Sequence, residues 1–144
     1  MVDALRRAHG MVRLSGWVVD VHPTSAVASV EVGARSTGRV DGGDAPLRHA
    51  AAGAALATVL DAGWFAVDRA VEFTFYTYGD TIDELREYIE ENWRNGRMSD
   101  AVVRRTRDAL RDAPGTRPRV REQVRLTKLQ PIALAEPKPS HKRR

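Results

Sequence analysis

Asp20, His22 and Pro23 stand where a short apolar segment, residues 16–21, runs out. An imidazole titrates near neutrality, so His22 could act as a base, with Asp20 orienting it. Open α/β sheets bind ligands beside the carboxyl ends of their strands, which makes this the first place to look for a site. The plainer reading, carried forward here, makes His22 a strand-end residue and Asp20 a loop-facing polar group. Tyr76 and Tyr78 form a second candidate. On an alternating strand they share one face, opposite Phe73 and Phe75, and with Trp17 or Trp64 they could line an aromatic pocket. Packing of each tyrosine against a helix, hydroxyl to water, explains the same spacing. Trp17, His22, Tyr76 and Tyr78 are therefore the substrate-binding candidates, and Asp20 and His22 the catalytic ones.

Other chemistries find little support. The chain has no Cys, which removes disulfides and thiolate metal sites. His9, His49 and His141 have no metal-ligand spacing, and no HExxH motif, paired carboxylate motif or nucleophile elbow occurs. Arg104, Arg105, Arg107 and Arg111 lie on a helical segment, followed by Arg117, Arg119, Arg121 and Arg125. Such a row could track phosphates. Asp100, Asp108 and Asp112 interleave with it and can pair across a turn, and no aromatic residues are interspersed to stack on bases. A solvated face is the preferred reading, with no specific nucleic-acid partner.

The 144 residues suit one domain with its own core. The formal net charge of +4 is unevenly spread. From Gly115 onward nine Lys or Arg face two Glu, a local +7 that leaves −3 for the remainder. The terminal His141-Lys142-Arg143-Arg144 would attract polyanions without specificity. No apolar run is long enough to span a membrane, and Asp3, Arg6, Arg7 and His9 break any signal-peptide core. A cytoplasmic location is expected, and the wealth of Ala, Arg, Val and Gly suits a GC-rich bacterial genome.

Patterning divides the chain into elements. Residues 2–12 read as a helix. Residues 16–21 read as a strand apolar enough to expect cover on both faces. Residues 26–32 and 35–40, split by Gly33-Ala34, suggest a β-hairpin. Asp44 and Pro46 open an Ala-rich helix over 47–62, which Gly63 ends. Residues 66–78 alternate as a strand. Thr81 and Glu84 form a capping box for a helix reaching Trp93. Asn95-Gly96 breaks it, Ser99 opens another helix, and Pro114-Gly115 stops that one. Residues 119–129 form the last strand. Residues 1–134 thus make one domain and 135–144 a disordered basic tail. The expected core gathers Val18, Val19, Phe73, Phe75, Leu85, Ile89, Val124 and Leu126.

The opening run, Ala4-Leu5-Arg6-Arg7-Ala8-His9-Gly10-Met11-Val12-Arg13-Leu14-Ser15-Gly16-Trp17-Val18-Val19-Asp20-Val21-His22-Pro23, resembles the entry to the fifth strand of class I S-adenosylmethionine-dependent methyltransferases. Ser15-Gly16 stands where that family usually has Pro-Gly-Gly. The resemblance implies that the strands beginning near Gly16, Ala66 and Arg119 correspond to the family's fifth, sixth and seventh. The seventh would lie between the other two, antiparallel to both. It also implies a truncated, Rossmann-like domain. The glycine-rich cofactor loop has no counterpart, because Gly33, Gly38, Gly42 and Gly43 do not sit between an apolar strand and a helix. The acidic residue that holds the ribose is missing too.

The expected fold is therefore α/β to α+β, a small mixed sheet covered by helices with an inserted β-hairpin. The expected function is a methyltransferase-like domain without autonomous cofactor binding: a non-catalytic binding, assembly or regulatory module, with no cofactor and no metal. Two alternatives stand beside it, a methyltransferase completed by a partner chain and a small-molecule-binding protein. The strand at 16–21 would be an exposed apolar edge, open to a protein partner or a homodimer unless the hairpin covers it. Hairpin cover is the preferred expectation.

Overall fold

In the computed structural model, residues 1–134 are described. The expectation for 135–144 lies outside them. The chain runs α1 (Val2–Met11), β1 (Val18–Pro23), β2 (Ser29–Val32), β3 (Arg35–Arg39), α2 (Ala45–Asp61), β4 (Phe65–Tyr78), α3 (Ile82–Asn92), α4 (Asp100–Asp112) and β5 (Pro118–Pro131). It is an α+β fold around a five-stranded open sheet.

The last strand organises the sheet. β4 pairs along one edge of β5 from Phe65↔Pro131 to Tyr78↔Arg119. The other edge is shared: β1 pairs with Val124–Leu129 and β2 with Pro118–Arg121, and β3 lies outside β2. Every pairing is antiparallel, so the sheet is not mixed. β1 and β4 run in the same direction, but β5 lies between them and no parallel ladder forms. This is the order expected for the strands near Gly16, Ala66 and Arg119. The hairpin is present, with Gly33 in the left-handed region at its turn (φ 59°). It pairs with β5, not with β1. Among the described residues no strand pairs with the outer edge of β1, against the expectation of hairpin cover.

Helices cover both faces of the sheet, but at opposite ends. Side chains alternate along a strand. Val120 of β5 packs with Val30 of β2 under α3 and α4, in a core that includes Leu85, Ile89, Met98 and Val102. Leu129, an odd-numbered position, points to the other face and packs with Leu5 of α1, Leu56 and Val59 of α2, and Phe65. The two helix pairs thus sit on opposite faces of one long ribbon.

Caps explain where the helices start. Thr81 Oγ1 accepts from the Glu84 amide at 3.1 Å. Glu84 answers one residue further back than expected, accepting from the Asp80 amide at 2.8 Å. Ser99 accepts from the Val102 amide and opens α4. Asp44 occupies the N-cap of α2 without bonding a backbone amide. Its carboxylate lies by Arg48 and Asn95 instead.

The expected common core is only partly realised. Leu85, Ile89 and Val124 are buried. Val19, Phe73 and Phe75 are 55%, 40% and 50% exposed. They lie on the α3/α4 face beyond the reach of those helices, where no second layer follows among the described residues. Leu47, in the first turn of α2, is also exposed.

Candidate functional site

A cavity of about 380 Å³ opens where the sheet is interrupted. β1 leaves β5 at Val124 and β2 rejoins it at Arg121, so Glu122 and Gln123 have no flanking strand on that edge. The connecting segment bows outward. Thr24 still donates its amide to the Gln123 carbonyl at 2.8 Å, and Val40 donates to the Ala28 carbonyl at 3.0 Å. The first turns of α2 and the end of α3 close the space.

The lining mixes apolar wall with ionisable groups. Pro23, Val27, Val40 and Trp93 supply the wall, and Arg48, His49, Arg94 and Glu122 the charge or protons. The His49 ring is held to the Thr24 carbonyl by Nδ1, 3.1 Å away. That contact requires a proton on Nδ1, which leaves Nε2 of the neutral ring an acceptor. Burial lowers the His49 pKa below 6.5, against the pull of the Thr24 carbonyl, and the charges of Arg48 and His22 lower it further. Burial alone raises the Glu122 carboxyl, and no ion pair among the described residues involves it. Arg48 Nε is 3.2 Å from Asp44 Oδ1 but off the line of a hydrogen bond, and it is buried without a hydrogen-bonding partner. Groups left unsatisfied at a concave surface suit a polar ligand in an apolar pocket.

The sequence-derived candidates fall elsewhere. Asp20 and His22 do meet: His22 Nδ1 is 2.7 Å from Asp20 Oδ2, and both side chains are nearly buried. They stand opposite Thr127 and Arg125 on β5, on the sheet face that carries α2. Pro23, the next residue, lines the cavity. Tyr76 and Tyr78 share a face, ring centroids 6.1 Å apart, opposite Phe73 and Phe75 as expected. They form no aromatic pocket with Trp17 or Trp64. Arg119 stacks over Tyr76 at 4.1 Å and Arg117 over Tyr78 at 5.6 Å. Trp17 lies at the far end of β5 with Lys128 Nζ 3.8 Å from its ring, and Trp64 is stacked by Arg6. The aromatic residues are separated because Tyr78 pairs at position 119 of a strand whose other end holds the tryptophans.

Arg48, His49, Arg94 and Glu122 were not singled out from the sequence. They come from α2, the turn after α3, and β5, and no local spacing connects them. A strand interruption between residues 23 and 29 was the available signal, since Pro23-Thr24-Ser25 follows the first apolar strand directly.

The arginine row is mostly occupied. Arg107 pairs with Asp83 at 2.8 Å, Arg111 with Asp108 at 3.0 Å, and Arg105 donates to the Thr37 carbonyl at 2.7 Å. Among the described residues no cluster of His, Asp and Glu could hold a metal ion, and no helix is long and apolar enough to cross a membrane. No protein-family model, curated protein or solved structure matches the chain.

Proposed function

We propose that this chain is a non-catalytic binding module, related to the C-terminal part of class I methyltransferases, that takes a small polar molecule in the cavity between α2, α3 and β5. The cavity at the sheet interruption carries this reading: an apolar wall joins four ionisable groups, one an uncompensated carboxyl. Support for the kinship is the strand order β1-β5-β4 with an antiparallel centre, together with the opening run of the sequence. S-adenosylmethionine is not the ligand, because the glycine loop and the ribose-binding acid are missing from these residues.

Two measurements test this. Titration calorimetry with S-adenosylmethionine should give no site-specific heat. A small-molecule library screened by amide NMR should shift Val27, His49 and Glu122 together, and Val27→Arg should abolish the response. Specific S-adenosylmethionine binding, or a library that never touches these residues, would overturn the reading. The Asp20–His22 hydrogen bond favours a second reading, in which the chain completes a methyltransferase with a partner that supplies the cofactor half. In that case His22→Ala should abolish transfer in the reconstituted pair while leaving the fold intact.

A further inference from the structure

Among the described residues, the face of the sheet that carries α3 and α4 continues past them as bare strand. Val19 and Val21 of β1, Leu126 of β5, and Val71, Phe73 and Phe75 of β4 all point to it, as the pairings Val21↔Leu126, Val71↔Leu126 and Phe73↔Val124 require. Val21 is 54% exposed, as open as Val19 and Phe75. From Glu122 to Lys128 the strip is about 20 Å long. Contiguous exposed apolar area is a common mark of an interaction surface.

Two features of the strip select its occupant. The first is charge. Glu122 lies at the end nearest the helices, opposite Phe75; at the other end Arg69 lies opposite Lys128, which also pairs with Asp68 at 2.8 Å and sits over the Trp17 ring, so that two cations and one carboxylate leave that end net positive. The strip is negative at one end, positive at the other and apolar between. The second is relief. α3 and α4 stand on the sheet as a step about 10 Å high, one helix diameter. Sheets stack face to face at about the same 10 Å. A surface with a step of that height fits an inverted copy of itself.

We infer that this face binds a second copy of the chain, about a two-fold axis that crosses β5 at right angles near Arg125. In that arrangement the sheets stack, Phe73 of one copy meets Val71 of the other, and Val124 meets Leu126. Glu122 of each copy faces Lys128 of its mate. The helical step of each copy abuts the open end of the other's sheet. The contact is isologous and closes as a dimer. Opposed charges at its two ends fix the register and disfavour the half-turned alternative, which would place like charges together.

The test is sedimentation of the full chain over about 1–100 µM. The wild type should be a dimer at the upper end of that range. Phe73→Lys should sediment as a monomer with an unchanged circular-dichroism spectrum, and Val21→Lys on the edge strand should do the same if the first variant fails to fold. Glu122→Lys and Lys128→Glu should each weaken the dimer about tenfold or more. Mixed together, the two variants should regain wild-type affinity, because each altered charge then meets its opposite. A monomeric wild type at the top concentration, or a dimer indifferent to both apolar variants, would overturn the inference. So would charge variants that each weaken the dimer but fail to rescue one another.

Discussion

Gly38 shows how tightly one residue can be held. A methyl group there would lie 2.5 Å from Val102 Cγ2 and 3.0 Å from the Arg105 guanidinium, because α4 crosses β3 directly above it. Gly38→Ala should therefore cost about 1–3 kcal/mol, the usual penalty for overpacking, measured by urea unfolding. Glu122 and His49 respond to pH in opposite senses. The folded state raises the Glu122 pKa above 4.5, so it binds the proton more tightly than the unfolded chain does. Its contribution is most favourable below that value and is lost as pH rises through the folded pKa. The folded state lowers the His49 pKa below 6.5, so stability is lost as pH falls from 6.5 through the folded value. In the isolated protomer, at low protein concentration, Glu122→Gln should thus raise the melting temperature at about pH 8 more than at about pH 4. A variant that melts lower at the alkaline value would show that a partner charge compensates Glu122.

The elements differ sharply in how much packing they carry. Ile89 on α3 is fully buried, and Ile89→Ala should cost about 2–5 kcal/mol. Phe75→Ala on β4 should cost the isolated protomer only about 1 kcal/mol, because half of the ring is already in water. Comparing the two by denaturant melts at low protein concentration checks the phase of β4. That phase depends on a bulge: Val67 pairs with Leu129 and Arg69 with Lys128, so Asp68 is an extra residue. Deleting Asp68 should preserve every downstream pairing and lose only its 2.8 Å contact with Lys128. Inserting one residue after Glu72 should instead turn Phe73 and Phe75 to the face of Tyr76 and Tyr78 and disrupt the pairings from Phe73↔Val124 to Tyr78↔Arg119. The period-two pattern of β4, the caps at Thr81 and Ser99 and the hairpin at Gly33 were legible in the sequence because each signal is local. The exposure of Val19, Phe73 and Phe75 was not. Alternation shows which residues share a face but not where the helical layer above that face ends. The cavity was illegible for a related reason: Arg48, Arg94 and Glu122 are brought together by the interruption on one edge of β5.

On the scale of the whole molecule, two cores share one strand. Leu5→Ala should loosen the α1/α2 core, and native-state hydrogen exchange should then quicken in those helices while α3 and α4 keep their protection. Uniform acceleration would mean that the cores open as a single unit. The strand they share is also the last among the described residues. β1 and β4 have no sheet partner but β5, and only β2 and β3 can pair earlier. During synthesis at about 5–20 residues per second, the nascent chain must therefore carry the short β1 and the long β4 unpaired for several seconds before residues 118–131 leave the ribosome. Until then a single hairpin and a few helices are all that can form, and the apolar edges of β1 and β4 are open to capture by chaperones or by neighbouring chains. A ribosome that stalls before Pro118 would release a polypeptide that cannot close its sheet, whatever the quality of everything already made.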